Sequence, residues 1–355
     1  MITEEKKHQK IAILTPTFSY FSGPDRVVKT QAEQLRDQGH TVTIFTLKAE
    51  MPAPKGVNLV IMGMPRSPFW QRIYRLFFFT DIFKIQKYVQ QLKNFDLIIS
   101  HMYPMTILAK KAQKKYQIHY QYYNMGIAYP RLFETFLERT YMRLFLCLTK
   151  KTVQGADSAV SISDFLRKEL IAETEVDGTV ELCTIDKRFT PNVRGESIKK
   201  KYNLDYPTLL YVGRISPHKG IHLLIRAFKI MVEQYPQARL LIVGKHTFED
   251  YSAKLKTLAD NDSRIIFAGF VADDDLPAYY AACDVYTTAT LWEGFNLPAA
   301  EAQACGKPVI AFNLGSHPEV VKKGKLVEPE NVEKFAEAVM ELLNKKDSAY
   351  FSFLK

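Results

Sequence analysis

IAILTPTFSYFSGPDRVVKTQAEQLRDQGHTVTIFTL (residues 11–47) runs from a short apolar, β-branched segment through a polar stretch with apolar residues at helical spacing to a second β-branched segment. That order reads strand, helix, strand, the crossover that two parallel strands require. DLIIS (96–100) and SAVSIS (158–163) continue the series, so the first half predicts an open, largely parallel sheet covered by helices. The same grammar returns in TLLYVG (208–213), RLLIVG (239–244), RIIFAG (264–269), VYTTA (285–289) and PVIAF (308–312), with helical stretches at 219–235, 250–260, 274–282, 298–305 and 331–345. Two doubly wound α/β domains follow: 1–190, a polar, proline-bearing linker at 191–206, and 207–355. Ligands in such sheets sit beyond the carboxyl ends of the strands, and two domains facing each other would enclose a cleft.

A chain of 355 residues, 47% hydrophobic and 24% charged, has the composition of a globular protein with about two cores. The four cysteines are dispersed, without a Cys-x-x-Cys pair, which argues against a zinc site or a disulfide framework. MITEEKKHQK is polar and the apolar run after it is too short for a signal segment, so the expected location is the cytoplasm. Residues 1–195 hold 28 Lys and Arg against 18 Asp and Glu, and residues 196–355 hold 20 of each, so the whole net charge of +10 lies in the first half. A basic half commonly meets an anionic partner. No strand is followed by Gly-x-Gly-x-x-Gly, which argues against a dinucleotide enzyme.

The chemistry gathers at two strand ends of the second half. In TLWEGFNLPAAEAQACGKPVIAF (290–312), Pro298 suits the first turn of a helix, which leaves Glu293 in the preceding loop and puts Glu301 one turn into the helix. The N–H groups of Phe295, Asn296 and Leu297 would crowd that helix start and favour an anion such as a diphosphate, with Gly294 allowing close approach. Glu301 could accept from a ribose diol and Glu293 from sugar hydroxyls; the plainer alternative for Glu301 is an acid favoured by the helix dipole. In YVGRISPHKGIHLLIRAF (211–228), Arg214 closes a strand and Lys219 opens the next helix, between Gly213 and Gly220. Paired cations there would offset charge on a departing nucleoside diphosphate, and the plainer reading of each is a solvated surface charge. Asp273, Asp274 and Asp275 precede a helix and read as first-turn acids rather than metal ligands.

GRISPHKG and EGFNLPAAE resemble, in order, the Arg-x-x-x-x-Lys and Glu, seven residues, Glu motifs of the retaining glycosyltransferases of family four, the group 1 glycosyltransferases. The likeness extends across residues 11–343 and is strongest at 207–322. It implies the glycosyltransferase type B fold, two Rossmann-like doubly wound domains facing across a cleft, with the first on the acceptor side and the second binding the donor. It further implies that Arg214 and Lys219 bind the diphosphate, Glu293 the sugar and Glu301 the ribose, while Gly244, Lys245, Phe270 and Val271 border the base. No cofactor or metal is expected; a nucleotide diphosphate sugar is the co-substrate, GDP-mannose or UDP-glucose by family frequency. Transfer would retain configuration, with a diphosphate oxygen helping to deprotonate the acceptor.

Ser22, Asn124 and the C-terminus depart from that pattern, while Gly23 and His101 match it. Gly23 matches one glycine of the family's first-domain loop, and Ser22 replaces the other. His101, past DLIIS, matches a cleft-facing histidine and serves as an acceptor contact or as a structural histidine. Asn124 stands where many relatives carry a histidine that holds the donor sugar. The chain also ends where relatives continue into a long helix crossing back to the first domain. Residues 65–95, PRSPFWQRIYRLFFFTDIFKIQKYVQQLKNF, set six Lys or Arg against one acid among aromatics, which suits an anionic membrane surface or a sheet-covering helix with solvated cations. Nucleic acid is not expected, since no binding module accompanies these cations. The leading reading is a hexosyltransferase, cytoplasmic or peripheral at the inner face of the membrane, acting on a lipid-linked or polysaccharide hydroxyl in envelope or polysaccharide biosynthesis. A nucleotide-sugar epimerase of the same fold and a non-catalytic nucleotide-sugar-binding partner subunit are the alternatives.

Overall fold

The computed structural model describes residues 8–20, 23–132, 135–246 and 248–352. The chain divides into two compact units, Met1–Thr184 and Ile185–Lys355. In the first, seven strands, β1 (Lys10–Phe18), β2 (Thr41–Ala49), β3 (Asn58–Ile61), β4 (Leu97–Ser100), β5 (His119–Asn124), β6 (Ser158–Ser161) and β7 (Thr179–Val180), pair in the order β3-β2-β1-β4-β5-β6-β7. Every pairing is parallel. Ile11 to Leu14 are all buried because helices cover both faces of this sheet, and this is why they read as a continuous apolar run rather than as an alternation.

The second unit has six strands, β8 (Thr208–Val212), β9 (Arg239–Val243), β10 (Ile265–Gly269), β11 (Val285–Thr288), β12 (Val309–Phe312) and β13 (Gly324–Val327), in the order β10-β9-β8-β11-β12-β13, again all parallel. Its core is built by the helix Ile221–Met231, whose Leu224, Ile225 and Phe228 lie beneath the strands, and by the helix Val332–Ser352, which adds Phe335 and Val339. The strand order reverses between β1 and β4 in one unit and between β8 and β11 in the other, and ligands bind outside the strand ends at such switch points.

Three short strands, β3, β7 and β13, escape the periodicity reading, having between two and four residues each. The stretch 191–206, read as a linker, falls within the unit that begins at Ile185. Residues 185–206 belong to the second unit and carry the helix Glu196–Tyr202, whose Lys-rich face is solvated while Ile198 is buried and Tyr202 meets Tyr279, ring to ring at 6.0 Å and hydroxyl to hydroxyl at 3.1 Å. Asp275 takes the N-cap position of the helix Leu276–Ala282 without a side-chain capping bond. Asp273 and Asp274 pair instead with Arg188, at 3.6 and 2.7 Å. Residues 65–95 fold as two helices, Pro68–Leu76 and Ile82–Leu92, broken where Asp81 caps the second by accepting from the Lys84 N–H.

Candidate active site

Because β8 and β11 are neighbours, the loops leaving their carboxyl ends meet, and these loops carry the two motifs. They are stitched together: the Leu291 N–H donates to the His218 carbonyl at 2.8 Å, and the Thr290 hydroxyl donates to the same carbonyl at 3.1 Å. Lys219 ends a 3₁₀ turn, Pro217–Lys219, rather than opening the helix, since Gly220 intervenes with φ +65°. A Cβ on Gly220 would lie 1.8 Å from the Ala289 carbonyl oxygen, so only glycine lets the two loops approach this closely.

The result is an ion pair between residues 74 positions apart, Lys219 Nζ donating to Glu293 Oε2 at 2.5 Å, with both side chains only 16% exposed. Burial pushes the Glu293 carboxyl up, but the charge and hydrogen bond of Lys219 hold it below the ordinary carboxylate value. His218 is driven down to about 4 by burial and then by the charges of Lys219 and Arg214, so it is neutral at physiological pH. Arg214 is exposed, its backbone carbonyl accepts from the Tyr211 hydroxyl at 3.0 Å, and its guanidinium has no ion-pair partner among the described residues. The cluster of Arg214, Lys219 and Glu293 therefore carries one net positive charge at a strand switch point.

The helix Leu297–Ala304 begins where expected, capped by Asn296 in the left-handed region at φ +68°. Among the described residues no acceptor takes the N–H groups of Phe295, Asn296 or Leu297. Unpaired N–H groups at a helix start can take water or an anion. Glu301 is 2% exposed, and its Oε2 accepts from the Tyr280 hydroxyl at 2.7 Å, which fixes the carboxylate on the inner side of the helix. Gly213 and Gly244 follow β8 and β9; Lys245 and Phe270 are exposed and Val271 is half-buried along the same edge.

Sequence reasoning did not find the residues that hold Glu293 from behind. A Cβ on Gly315, at φ +58°, would lie 2.4 Å from the Glu293 carbonyl oxygen, and that oxygen accepts from the Ser316 N–H at 3.1 Å. His317, fully buried, links this loop to the helix cap. The Asn296 side-chain oxygen accepts from the Ala299 N–H at 3.2 Å, which turns its amide nitrogen toward His317 Nε2 at 2.8 Å. Nε2 therefore accepts, and the ring proton sits on Nδ1, which donates to the Phe312 carbonyl at 2.7 Å. Burial lowers the His317 pKa and keeps this neutral tautomer. No spacing marks Asn296 and His317 as a pair; the adjacency of β11 and β12 makes them neighbours.

In the first unit, Gly23 opens the helix Gly23–Asp37 at the end of β1, and Ser22 lies outside the described residues. His101 follows β4 at the switch point and is wholly buried, its Nε2 2.9 Å from Gln31 Oε1 and its ring edge-on to Tyr123 at 5.2 Å. Burial lowers its pKa to about 4, so it is an uncharged group held in the sheet edge. Asn124, also buried, spends its amide within the unit: Nδ2 donates to Ser161 Oγ at 3.1 Å and to the Leu166 carbonyl at 3.0 Å, and Oδ1 accepts from the Gly126 N–H at 3.0 Å. That pattern ties the end of β5 to β6 and leaves no side-chain donor over in this conformation.

Two all-parallel α/β units, one with a cation–carboxylate cluster at its switch point, define the class as the glycosyltransferase type B fold. Solved structures of that architecture superpose on nearly the whole chain. Sucrose-phosphate synthase from Thermosynechococcus elongatus matches with a TM-score of 0.76 at 20% identity, over 95% of this chain and 90% of that one. HepE from Anabaena, in complex with UDP and glucose, matches with a TM-score of 0.75 at 21% identity, over 96% and 91%. Residues 21–182 match the family model described as Glycosyltransferase Family 4, and residues 194–350 the one described as Glycosyl transferases group 1. The chain belongs to the group 1 glycosyltransferases. Putative glycosyltransferase YtcC of Bacillus subtilis is 31% identical over 251 residues, 64% of this chain and 58% of that protein. A GDP-mannose-dependent phosphatidylinositol monomannoside mannosyltransferase of Mycobacterium tuberculosis is 34% identical over 210 residues, 55% of this chain and 54% of that protein. Such alignments span from 25% to 58% of the first relatives' own length.

Proposed function

We propose that this chain transfers a hexosyl group from a nucleotide diphosphate sugar, GDP-mannose or UDP-glucose, to a hydroxyl of a lipid-linked or polysaccharide acceptor, with retention of configuration. The observation that carries the reading is the Lys219–Glu293 pair at 2.5 Å beside the unpaired guanidinium of Arg214. In the free protein Glu293 neutralises Lys219; an arriving diphosphate takes the lysine and releases the carboxylate to accept from sugar hydroxyls. The bond from the anomeric carbon to the diphosphate oxygen breaks, and the charge left on that oxygen is met by Lys219, Arg214 and the N–H groups at 295–297. The acceptor hydroxyl forms the new bond on the same face and its proton passes to the diphosphate. Glu301 holds the ribose, oriented by Tyr280. Support for the donor comes from the relative that is GDP-mannose-dependent and from the structural neighbour solved with UDP and glucose.

A melting series with UDP-, GDP- and ADP-sugars tests the donor. A ligand that binds only the folded state at about a hundredfold excess over its Kd adds about 2.7 kcal/mol, a rise of several degrees for a unit of this size. GDP-mannose or UDP-glucose should give that rise; no shift with any nucleotide sugar contradicts the reading.

A further inference from the structure

The helix Phe136–Val153 buries only Thr149 and Val153 among its 18 residues. Its first turns leave Phe136 76%, Leu137 80% and Leu144 50% exposed. A helix lying on a sheet normally turns its apolar stripe inward, and this one turns much of it to solvent. The segment flagged at 65–95 does the same, with Trp70 58% and Phe83 89% exposed. The helices Pro68–Leu76 and Phe136–Val153 are joined: the Tyr141 hydroxyl donates to the Arg72 carbonyl at 3.2 Å, while the Tyr103 hydroxyl donates to the Leu76 carbonyl at 2.7 Å and its ring meets Phe145 edge-on at 4.9 Å. Residues 65–95 and 136–153 together hold ten Lys or Arg and two acids; Lys84 pairs with Asp81 and Lys150 with Glu175, Arg75 is largely withdrawn from solvent, and Arg66, Arg72, Lys87, Lys93, Arg143 and Lys151 are exposed. Large exposed apolar patches on a protein surface mark interaction sites.

We propose that these two segments form a docking face for an anionic lipid bilayer, in which Phe136 and Leu137 enter the interface beside Trp70 and Phe83 while Arg72 and Arg143 meet lipid phosphates. The charge decides the occupant. Aromatic side chains among cations match the apolar and anionic layers of such a bilayer, whereas a second copy would set the exposed cations of one face against the same cations of the other. The proposal goes beyond the transferase reading and stands without it, because adsorption is measured whether or not sugar is transferred.

Flotation of the full chain with vesicles of phosphatidylcholine alone, or of an equimolar mixture with phosphatidylglycerol, tests it. Adsorption is expected on the mixed vesicles, weaker on the neutral ones and reduced by salt. Phe83→Glu/Phe136→Glu/Leu137→Glu should lower the partition coefficient by about tenfold or more, with an unchanged melting temperature because all three side chains are exposed. Arg72→Glu/Arg143→Glu, a second variant, should remove mainly the preference for phosphatidylglycerol. The proposal is overturned by no adsorption at low salt, by variants that adsorb as the parent does, or by a lipid-free dimer that the triple variant dissociates.

Discussion

Lys219→Ala is expected to lower turnover by about 10²–10³-fold and to destabilise the second unit by about 3–5 kcal/mol at neutral pH. The first effect follows from removing a preorganised cation from the departing diphosphate, the second from leaving the nearly buried Glu293 carboxylate uncompensated. Burial pushes the Glu293 carboxyl up, and chiefly Lys219 brings it below the ordinary value. A folded-state pKa below the unfolded one contributes stability that is present above the unfolded pKa and lost as pH falls through the folded pKa. The parent should therefore lose this contribution on acidification. In Lys219→Ala burial prevails, the folded-state pKa rises above the unfolded one, and the penalty should shrink as pH falls from about 8 to about 5. Melting curves over that range separate the two profiles. Lys219→Met/Glu293→Gln, lacking both charges, should regain most of the stability and none of the activity. Unchanged turnover in Lys219→Ala removes the lysine from leaving-group stabilisation, and unchanged stability contradicts a buried pair.

For Glu301→Ala the expected result is a rise in the donor KM of roughly 10–100-fold, the worth of hydrogen bonds to a charged group, with a smaller change in kcat. Stability should also fall by about 1–3 kcal/mol, since the Tyr280 hydroxyl, 2.7 Å from the carboxylate, loses its acceptor in the interior. Tyr280→Phe separates the two effects: it removes the orienting bond but keeps the carboxylate, so stability should drop by about 1 kcal/mol and KM rise much less. Equal stability losses in both variants with no movement in KM would make Glu301 a core acid and dismiss its ribose role.

Much of the fold could be read from residues alone, for a physical reason. β8, β9 and β12 are buried on both faces, so TLLYV, RLLIV and VIAF stand out as apolar runs. The four-residue edge strand Asn58–Ile61 is half-exposed and leaves no such trace. At the site, the types and strand-end positions of Arg214, Lys219, Glu293 and Glu301 were legible, but the pairing of Lys219 with Glu293 was not, because strand order rather than spacing makes them neighbours. The same holds for Gly315 and His317 behind Glu293. For Asn124 the resemblance implied a donor contact, and what the residues alone did not show is that its side-chain partners Ser161 and Leu166 come from an adjacent strand and helix. The Phe136–Val153 helix went unread in the sequence, and its surroundings show that its first turns are uncovered.

Release of nucleoside diphosphate from labelled GDP-mannose and UDP-glucose, measured for the parent chain and for Lys219→Met/Glu293→Gln, tests the central claim most directly. The account predicts turnover of at least one donor by the parent and, for the double variant, a rate lower by about 10²-fold or more. Equal rates in the two proteins, or no turnover of either donor by the parent, would contradict it.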